Sequence, residues 1–244
     1  MGPRDRVGDQ IAIAGDYQYR ALHAGHAAQR FWHYNKQLTI ARYLPPRPGE
    51  LVIDVGCGSG VIADFLAESG ASVIGIDGSD AAITFARQTF QRENLRFVKG
   101  LVDRSFEAPR PANSIYCLET IEHIYPEQAL EMLRVFHSRL APGGHVYITT
   151  PNAHSAWPVL EWALDTFGLA PNMAGDQHVA AYSRRTLARL CTRAGFTIER
   201  MITTSLFAPW LAPLSWKLAL ATNAAETGLP FGCILVCVAR KSGA

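Results

Sequence analysis

Residues 51–60 read Leu51-Val52-Ile53-Asp54-Val55-Gly56-Cys57-Gly58-Ser59-Gly60. A short apolar run ends in three glycines at alternate positions, and Val61 to Ser69 follows with amphipathic helical spacing before Gly70. This pattern predicts a buried strand, a turn with positive φ, and the start of a helix. In an open parallel sheet such a turn sits at the carboxyl end of a strand, where ligands bind. The spacing sorts ligands. A dinucleotide fingerprint is G-x-G-x-x-G, and here the third glycine comes one position early; the phosphate loop G-x-x-x-x-G-K-[ST] is absent. An acid, Asp54, stands two residues before the first glycine.

Outward from this turn the chain alternates. Ser72 to Asp77 reads as a second buried strand, and Ser79 or Asp80 as the cap of a helix reaching Arg92. Further strands are predicted over 95–98, 114–118 and 145–149. A helix is expected over 127–140, and Pro142-Gly143-Gly144 reads as a turn. A capped helix over 183–194, a strand over 196–202 and a last strand over 231–239 complete the series. Strand and helix alternating in this way specify a parallel sheet covered on both faces. Residues 17–44 read as an aromatic-rich helical segment, stopped by Pro45-Pro46-Arg47-Pro48. The division expected is an N-terminal helical segment over 1–48 and a main domain over 49–244. Two insertions, 151–182 and 205–230, leave the rhythm and carry Trp157, Trp162, Trp210 and Trp216.

The whole chain has 244 residues, 48% hydrophobic and 18% charged, with a net charge of +2. That suits one folded α/β domain and speaks against disorder and against a general nucleic-acid binder, which carries clustered cations. The five cysteines are odd in number, widely spaced and free of any C-x-x-C, so neither a disulfide framework nor a zinc knuckle is expected. The N-terminal stretch has no signal-like apolar core, and the longest apolar stretch, Leu206 to Ala221, is interrupted by Pro209, Pro213 and Lys217. The expectation is a soluble, reduced, cytoplasmic protein, with peripheral contact with a membrane surface left open.

The segment around Gly56 resembles the first motif of class I S-adenosylmethionine-dependent methyltransferases. Asp77 closes the second strand 23 residues after Asp54, where that family places the acid for the ribose hydroxyls. Residues 115–124, Ile-Tyr-Cys-Leu-Glu-Thr-Ile-Glu-His-Ile, resemble the fourth motif, and Leu140-Ala-Pro-Gly-Gly144 the segment before the fifth. The resemblance covers about residues 50–151. Within the superfamily, Glu119-x-x-Glu122-His123 is most similar to the ubiquinone-biosynthesis O-methyltransferases. The resemblance implies a three-layer α/β, doubly wound Rossmann-like fold, with a seven-stranded sheet whose last strand is antiparallel. It also implies S-adenosylmethionine as cofactor, held by Asp54, Gly56, Cys57, Gly58, Gly60, Asp77, Gly78, Leu101, Val102, Leu118 and Glu119. Leu101 is a departure, standing where many members have an acid for the adenine amino group, so backbone near Leu101 and Val102 is expected to take that role.

The sulfonium methyl is already activated, so alignment and exclusion of water do most of the work. His123 is the expected base for a hydroxyl acceptor, with Glu122 beside it. In the relatives this pattern binds a divalent metal, which implies Glu119, Glu122 and His123 as ligands. A metal there lowers the pKa of a catechol-type hydroxyl. Cys57 has no evident base partner and reads as packing. The acceptor expected is an apolar or amphipathic small molecule of quinone-precursor, lipid or lipid-linked glycan type, methylated at oxygen. Trp157, Trp162, His178, Tyr182 and Trp210 are its expected contacts, and the N-terminal segment the expected cover for the cofactor. Two other classes stay open at this point: a nicotinamide-dependent oxidoreductase, against which the glycine spacing argues, and a non-catalytic cofactor-binding protein. An RNA methyltransferase is disfavoured by the balanced charge and by the lack of an Asn/Asp-Pro-Pro-Tyr-type motif. The oligomeric state is left open.

Overall fold

The computed structural model describes residues 13–155 and 178–242. Two helices come first, α1 (Tyr17–His23) and α2 (Ala27–Tyr43). The alternating body follows: β1 (Leu51–Val55), α3 (Val61–Ala67), β2 (Ser72–Asp77), α4 (Asp80–Thr89), β3 (Leu95–Lys99) and β4 (Ala112–Leu118). A short 3-10 turn over Ile121–His123 leads to α5 (Pro126–Arg139) and β5 (Leu140–Pro151). Beyond residue 177 come α6 (Arg184–Arg193), β6 (Phe196–Thr204), α7 (Ala208–Leu211), α8 (Trp216–Glu226) and β7 (Ile234–Lys241).

The strands form one sheet in the order β3-β2-β1-β4-β5-β7-β6. β1 pairs parallel with β2 and β4, while β7 runs antiparallel between β5 and β6. The expected sheet is therefore present, with its last strand reversed. β1 is buried along its whole length, which explains why it carries apolar residues continuously rather than alternately. One cluster, with Ile53, Ile115, Leu133 and Phe136, packs α5 and α6 on one face; a second, with Val52, Leu66, Ile83 and Tyr116, packs α3 and α4 on the other. The crossover between β1 and β4 leaves a crevice at the carboxyl edge of the sheet, where the strand order reverses.

Two readings of local structure are corrected. The single helical segment expected over 17–44 is two helices. Gly25 interrupts it, with a Cβ there lying 2.5 Å from the Ala21 carbonyl oxygen, and the His26 side chain accepts from the Gln29 N–H to start α2. The turn expected at 142–144 lies inside a continuous β5. Ala112 pairs with Leu140 and Ser114 with His145, so residues 141–144 bulge opposite a single residue of β4. Pro-Gly-Gly marks an irregularity there, and the ladder resumes beyond it. The second insertion, 205–230, contains α7 and α8, which pack on α2 through Phe31, Ala208, Ala212 and Ala219. The five cysteines are buried and unpaired.

Candidate active site

The glycine turn follows from β1. The N–H groups of Gly56 and Cys57 donate to the Ile76 carbonyl at 2.8 and 3.0 Å, tying the turn to β2. Gly56 takes φ 71° and Gly58 φ 49°, backbone that L side chains rarely adopt. Neither has room for a side chain. A Cβ at Gly56 would lie 2.2 Å from the Thr120 hydroxyl oxygen, and one at Gly58 2.1 Å from Oε1 of Gln18. Gln18 belongs to α1, and its Oε1 accepts from the Ser59 N–H at 2.7 Å; the Tyr19 N–H donates to Ser59 Oγ at 3.1 Å. The first helix is thus fastened onto the turn, and Gly15 and Gln18 line the cavity beside it.

Asp77, at the end of β2, spans two backbone donors. Its Oδ2 accepts from the Gly58 N–H and its Oδ1 from the Ser79 N–H, both at 2.8 Å. Each carboxylate oxygen keeps capacity for a further donor. Asp54 is buried behind the turn, with Oδ2 lacking any partner among the described residues. Burial, and then the charge of Asp77, push its pKa up to about 7 against the opposing pull of Lys36. Lys36 pairs with Glu119 at 2.8 Å, and Glu119 itself takes φ 48° where β4 turns into the following loop.

These groups border a cavity of about 630 Å³ at the carboxyl edge of β1, β2 and β4, a volume in the usual range for a small-molecule site. Gly56, Gly58, Asp77 and Gly78 line one side, Leu101 and Val102 a second, and Glu119, Thr120 and His123 a third. Of the other residues expected to hold the cofactor, Asp54, Cys57, Gly60 and Leu118 lie outside this lining. Cys57 and Leu118 pack in the core against α3 and α4, and Gly60 starts α3 in a left-handed conformation. Burial raises the Cys57 thiol well above its ordinary value, which fits packing and not attack.

Beneath the cavity wall Glu122 is buried and accepts from the Thr150 hydroxyl at 3.0 Å. Its pKa is pushed up to about 7, first by burial, then by the Glu119 charge. The Glu122 carbonyl accepts from the N–H groups of Val179 and Ala180 at 2.9 and 3.0 Å, which draws residue 178 against this loop. The His123 and His178 rings stand 4.9 Å apart. One ligand atom each from Glu122, His123 and His178 lie within 4.8 Å of one another. Two imidazoles and a carboxylate fit a divalent ion of transition-metal type. This set differs from the one expected, since His178 takes the third place and Glu119 is held by Lys36. Tyr182 is buried, in an isolated parallel bridge with Asn152. Trp210 is 46% exposed on α7 and is not part of the cavity lining. Trp157 and Trp162 lie outside the described residues.

Sequence reasoning passed over Lys36 and Gln18, which act across the fold on Glu119 and Ser59. Lys36 is the one lysine of an aromatic helix that also carries Arg30 and Arg42, and its side chain is only 11% exposed.

Residues 26–200 match a family model described as a methyltransferase domain. A ubiquinone biosynthesis O-methyltransferase of Acinetobacter baumannii (strain ACICU) is 32% identical over 108 residues, 43% of this chain and 45% of the relative. One of Aliivibrio fischeri (strain ATCC 700601 / ES114) is 34% identical over 107 residues, with the same shares. The chain thus matches less than half the length of these curated relatives. Among solved structures, magnesium protoporphyrin IX methyltransferase from Synechocystis PCC 6803 with bound SAH superposes with a TM-score of 0.62 at 19% identity, covering 98% of each chain. An S-adenosylmethionine-dependent methyltransferase from Mesorhizobium loti gives 0.61 at 22% identity, covering 83% of this chain and 96% of that one. With the family model spanning most of the chain and the fold shared along nearly its whole length, this protein belongs to the methyltransferase-domain family.

Proposed function

We propose that the chain transfers a methyl group from S-adenosylmethionine to an oxygen of an apolar or amphipathic small molecule of quinone-precursor, lipid or lipid-linked glycan type. The observation that carries this reading is the cavity where Asp77, the positive-φ turn and the β4 loop converge. The donor supplies an activated methyl group, so the protein's task is orientation. Asp77, already aligned by two backbone donors, accepts from the ribose hydroxyls. Gly56 and Gly58 let the backbone approach the amino-acid portion, and the Leu101–Val102 segment covers the adenine. Asp54 and Glu119 lie on the side of the cationic groups.

His123, on the third wall, takes the proton of the acceptor hydroxyl as the oxygen forms its bond to the methyl carbon and the carbon–sulfur bond breaks. His178 and Glu122 hold that imidazole in place. A divalent ion held by Glu122, His123 and His178 would acidify the same hydroxyl, with His123 then its ligand in place of the base. The oxygen target is supported by the names of the relatives that match over 107–108 residues. Peripheral contact with a membrane belongs to this reading, since such acceptors partition into lipid.

The reading is tested by incubating the protein with S-adenosylmethionine and a prenylated catechol. Demethylated cofactor and O-methylated product are expected in equal amounts. His123→Ala is expected to lower kcat by about 10²–10⁴ with cofactor affinity kept. Cofactor binding without any turnover would favour a non-catalytic binding protein.

A further inference from the structure

Six of the eight large apolar side chains that stand exposed among the described residues fall within 205–231: Phe207, Trp210, Leu214, Leu218, Leu229 and Phe231. The other two, Leu101 and Tyr125, follow β3 and β4. The segments that carry all eight therefore leave the sheet at one edge, the carboxyl one. Residues 205–231 join the end of β6 to the start of β7, and Ile234 pairs there with both Thr204 and Pro151, at the carboxyl ends of β6 and β5.

The packing of this segment is partly inverted. A surface helix ordinarily turns its large apolar residues to the core. Here α7, α8 and their connection bury Ala208, Ala212 and Ala219 against Phe31, with Leu211, Trp216 and Leu220 partly buried beside them, and turn Trp210, Leu214 and Leu218 outward. On α8 the buried positions 219, 223 and 226 are Ala, Asn and Glu, while exposed positions 217, 218, 221, 224 and 225 are Lys, Leu, Ala, Ala and Ala. Internal hydrogen bonds fasten the arrangement. Glu226 accepts from the N–H groups of Leu206, Phe207 and Ala208 at 2.9, 2.8 and 3.2 Å, and Asn223 accepts from the Thr204 hydroxyl at 3.0 Å. The outward apolar groups are held in place by these bonds and are not the product of loose packing.

The exposed charge around the six groups of 205–231 has one sign. Lys217 and Glu226 are the two ionisable residues of 205–231, and Glu226 is only 3% exposed. The neighbouring α2 contains no acid. Its exposed Arg30 sits 6.0 Å over the Trp216 ring, and its exposed Arg42 donates to the Ala224 carbonyl. Apolar side chains rimmed by cations complement a bilayer with anionic headgroups, where the apolar groups enter the interface and the cations meet phosphates. A second copy seated on the same face would set like charges against each other.

We propose that this face docks on an anionic lipid surface. The proposal deepens the methyl-transfer reading by naming the face and the headgroup charge of its membrane contact; that docking presents the cavity to lipid-dissolved acceptors rests on that reading, whereas docking itself does not.

The test is co-sedimentation of the full chain with vesicles of phosphatidylcholine alone or mixed with phosphatidylglycerol. Binding to the mixed vesicles is expected, weakened by salt. The combined Phe207→Ser, Leu214→Ser and Leu218→Ser substitutions are expected to reduce it at least about tenfold. Lys217→Glu, on an exposed side chain, is expected to reduce it about fivefold and to leave the melting temperature unchanged. No sedimentation with mixed vesicles, or binding that all these substitutions leave intact, would overturn the proposal. So would a concentration-dependent dimer that the triple substitution dissolves while vesicle binding is lacking, since the face would then belong to a second copy. Because vesicle binding is read without turnover, its failure leaves methyl transfer standing, and a failure of methyl transfer leaves vesicle binding standing.

Discussion

Gly58 concentrates the local argument. Its φ of 49° disfavours any L side chain, and a Cβ there would lie 2.1 Å from the Gln18 amide and displace the bond that fastens α1 to Ser59. Gly58→Val is therefore expected to abolish cofactor binding and to release the first helix, readable as new protease cleavage near residue 18. Asp54 makes a different prediction. Its folded pKa of about 7 lies above the ordinary aspartate value, so between these values the folded state holds a proton that the unfolded chain has lost. Stability contributed by that group is present at low pH and falls as pH rises towards 7. Glu122, also pushed up to about 7, adds to the same decline. Asp54→Asn in the ligand-free protein is expected to be more stable than wild type by about 1–3 kcal/mol at pH 8, with little difference near pH 4. Thermal melting across that range checks it; a difference that does not grow with pH would show Asp54 to be paired.

At the scale of elements, α2 anchors the second insertion. Phe31 is fully buried and meets Trp216 at a ring distance of 5.1 Å. Phe31→Ala is expected to cost about 3–5 kcal/mol, whereas Trp210→Ala, on the exposed side of α7, is expected to stay within about 0.5 kcal/mol. Chemical denaturation separates the two. The same comparison shows what could be read from sequence. β1, β2 and β4 announce themselves because strands buried on both faces need continuous apolar runs, and Ser79 and Ser183 announce helix starts by their caps. The extent of β5 was hidden, because Pro142-Gly143-Gly144 has the chemistry of a turn whether or not the ladder resumes beyond it. The second insertion draws attention through Trp210 and Trp216, yet Trp210 stands exposed while Trp216 joins Ala208, Ala212 and Ala219 against Phe31, a packing whose small residues carry no sequence signal. The third member of the Glu122–His123 group was hidden for a related reason. His178 arrives through hydrogen bonds from Val179 and Ala180 to a backbone carbonyl, which no side-chain motif records.

Across the whole molecule, the sheet sorts its two edges. The carboxyl edge carries the glycine turn, Asp77, the β4 loop and the segments with exposed apolar groups, while toward the other end Glu199 pairs with Arg240 and hydrogen-bonds with His145. This polarity follows from a parallel sheet, in which each crossover returns the chain so that successive strands end on the same side. Ligand site and docking face thus share one edge because of topology. The central claim is that the cavity there is built for S-adenosylmethionine, and calorimetric titration of wild type and Asp77→Ala addresses it most directly. Wild type is expected to bind S-adenosylmethionine at one site and reduced nicotinamide dinucleotide not at all. Asp77→Ala is expected to lose about 1.5–3 kcal/mol, roughly 10- to 150-fold in affinity. Equal affinity in a folded Asp77→Ala protein, or tighter binding of the nicotinamide dinucleotide, would contradict the account.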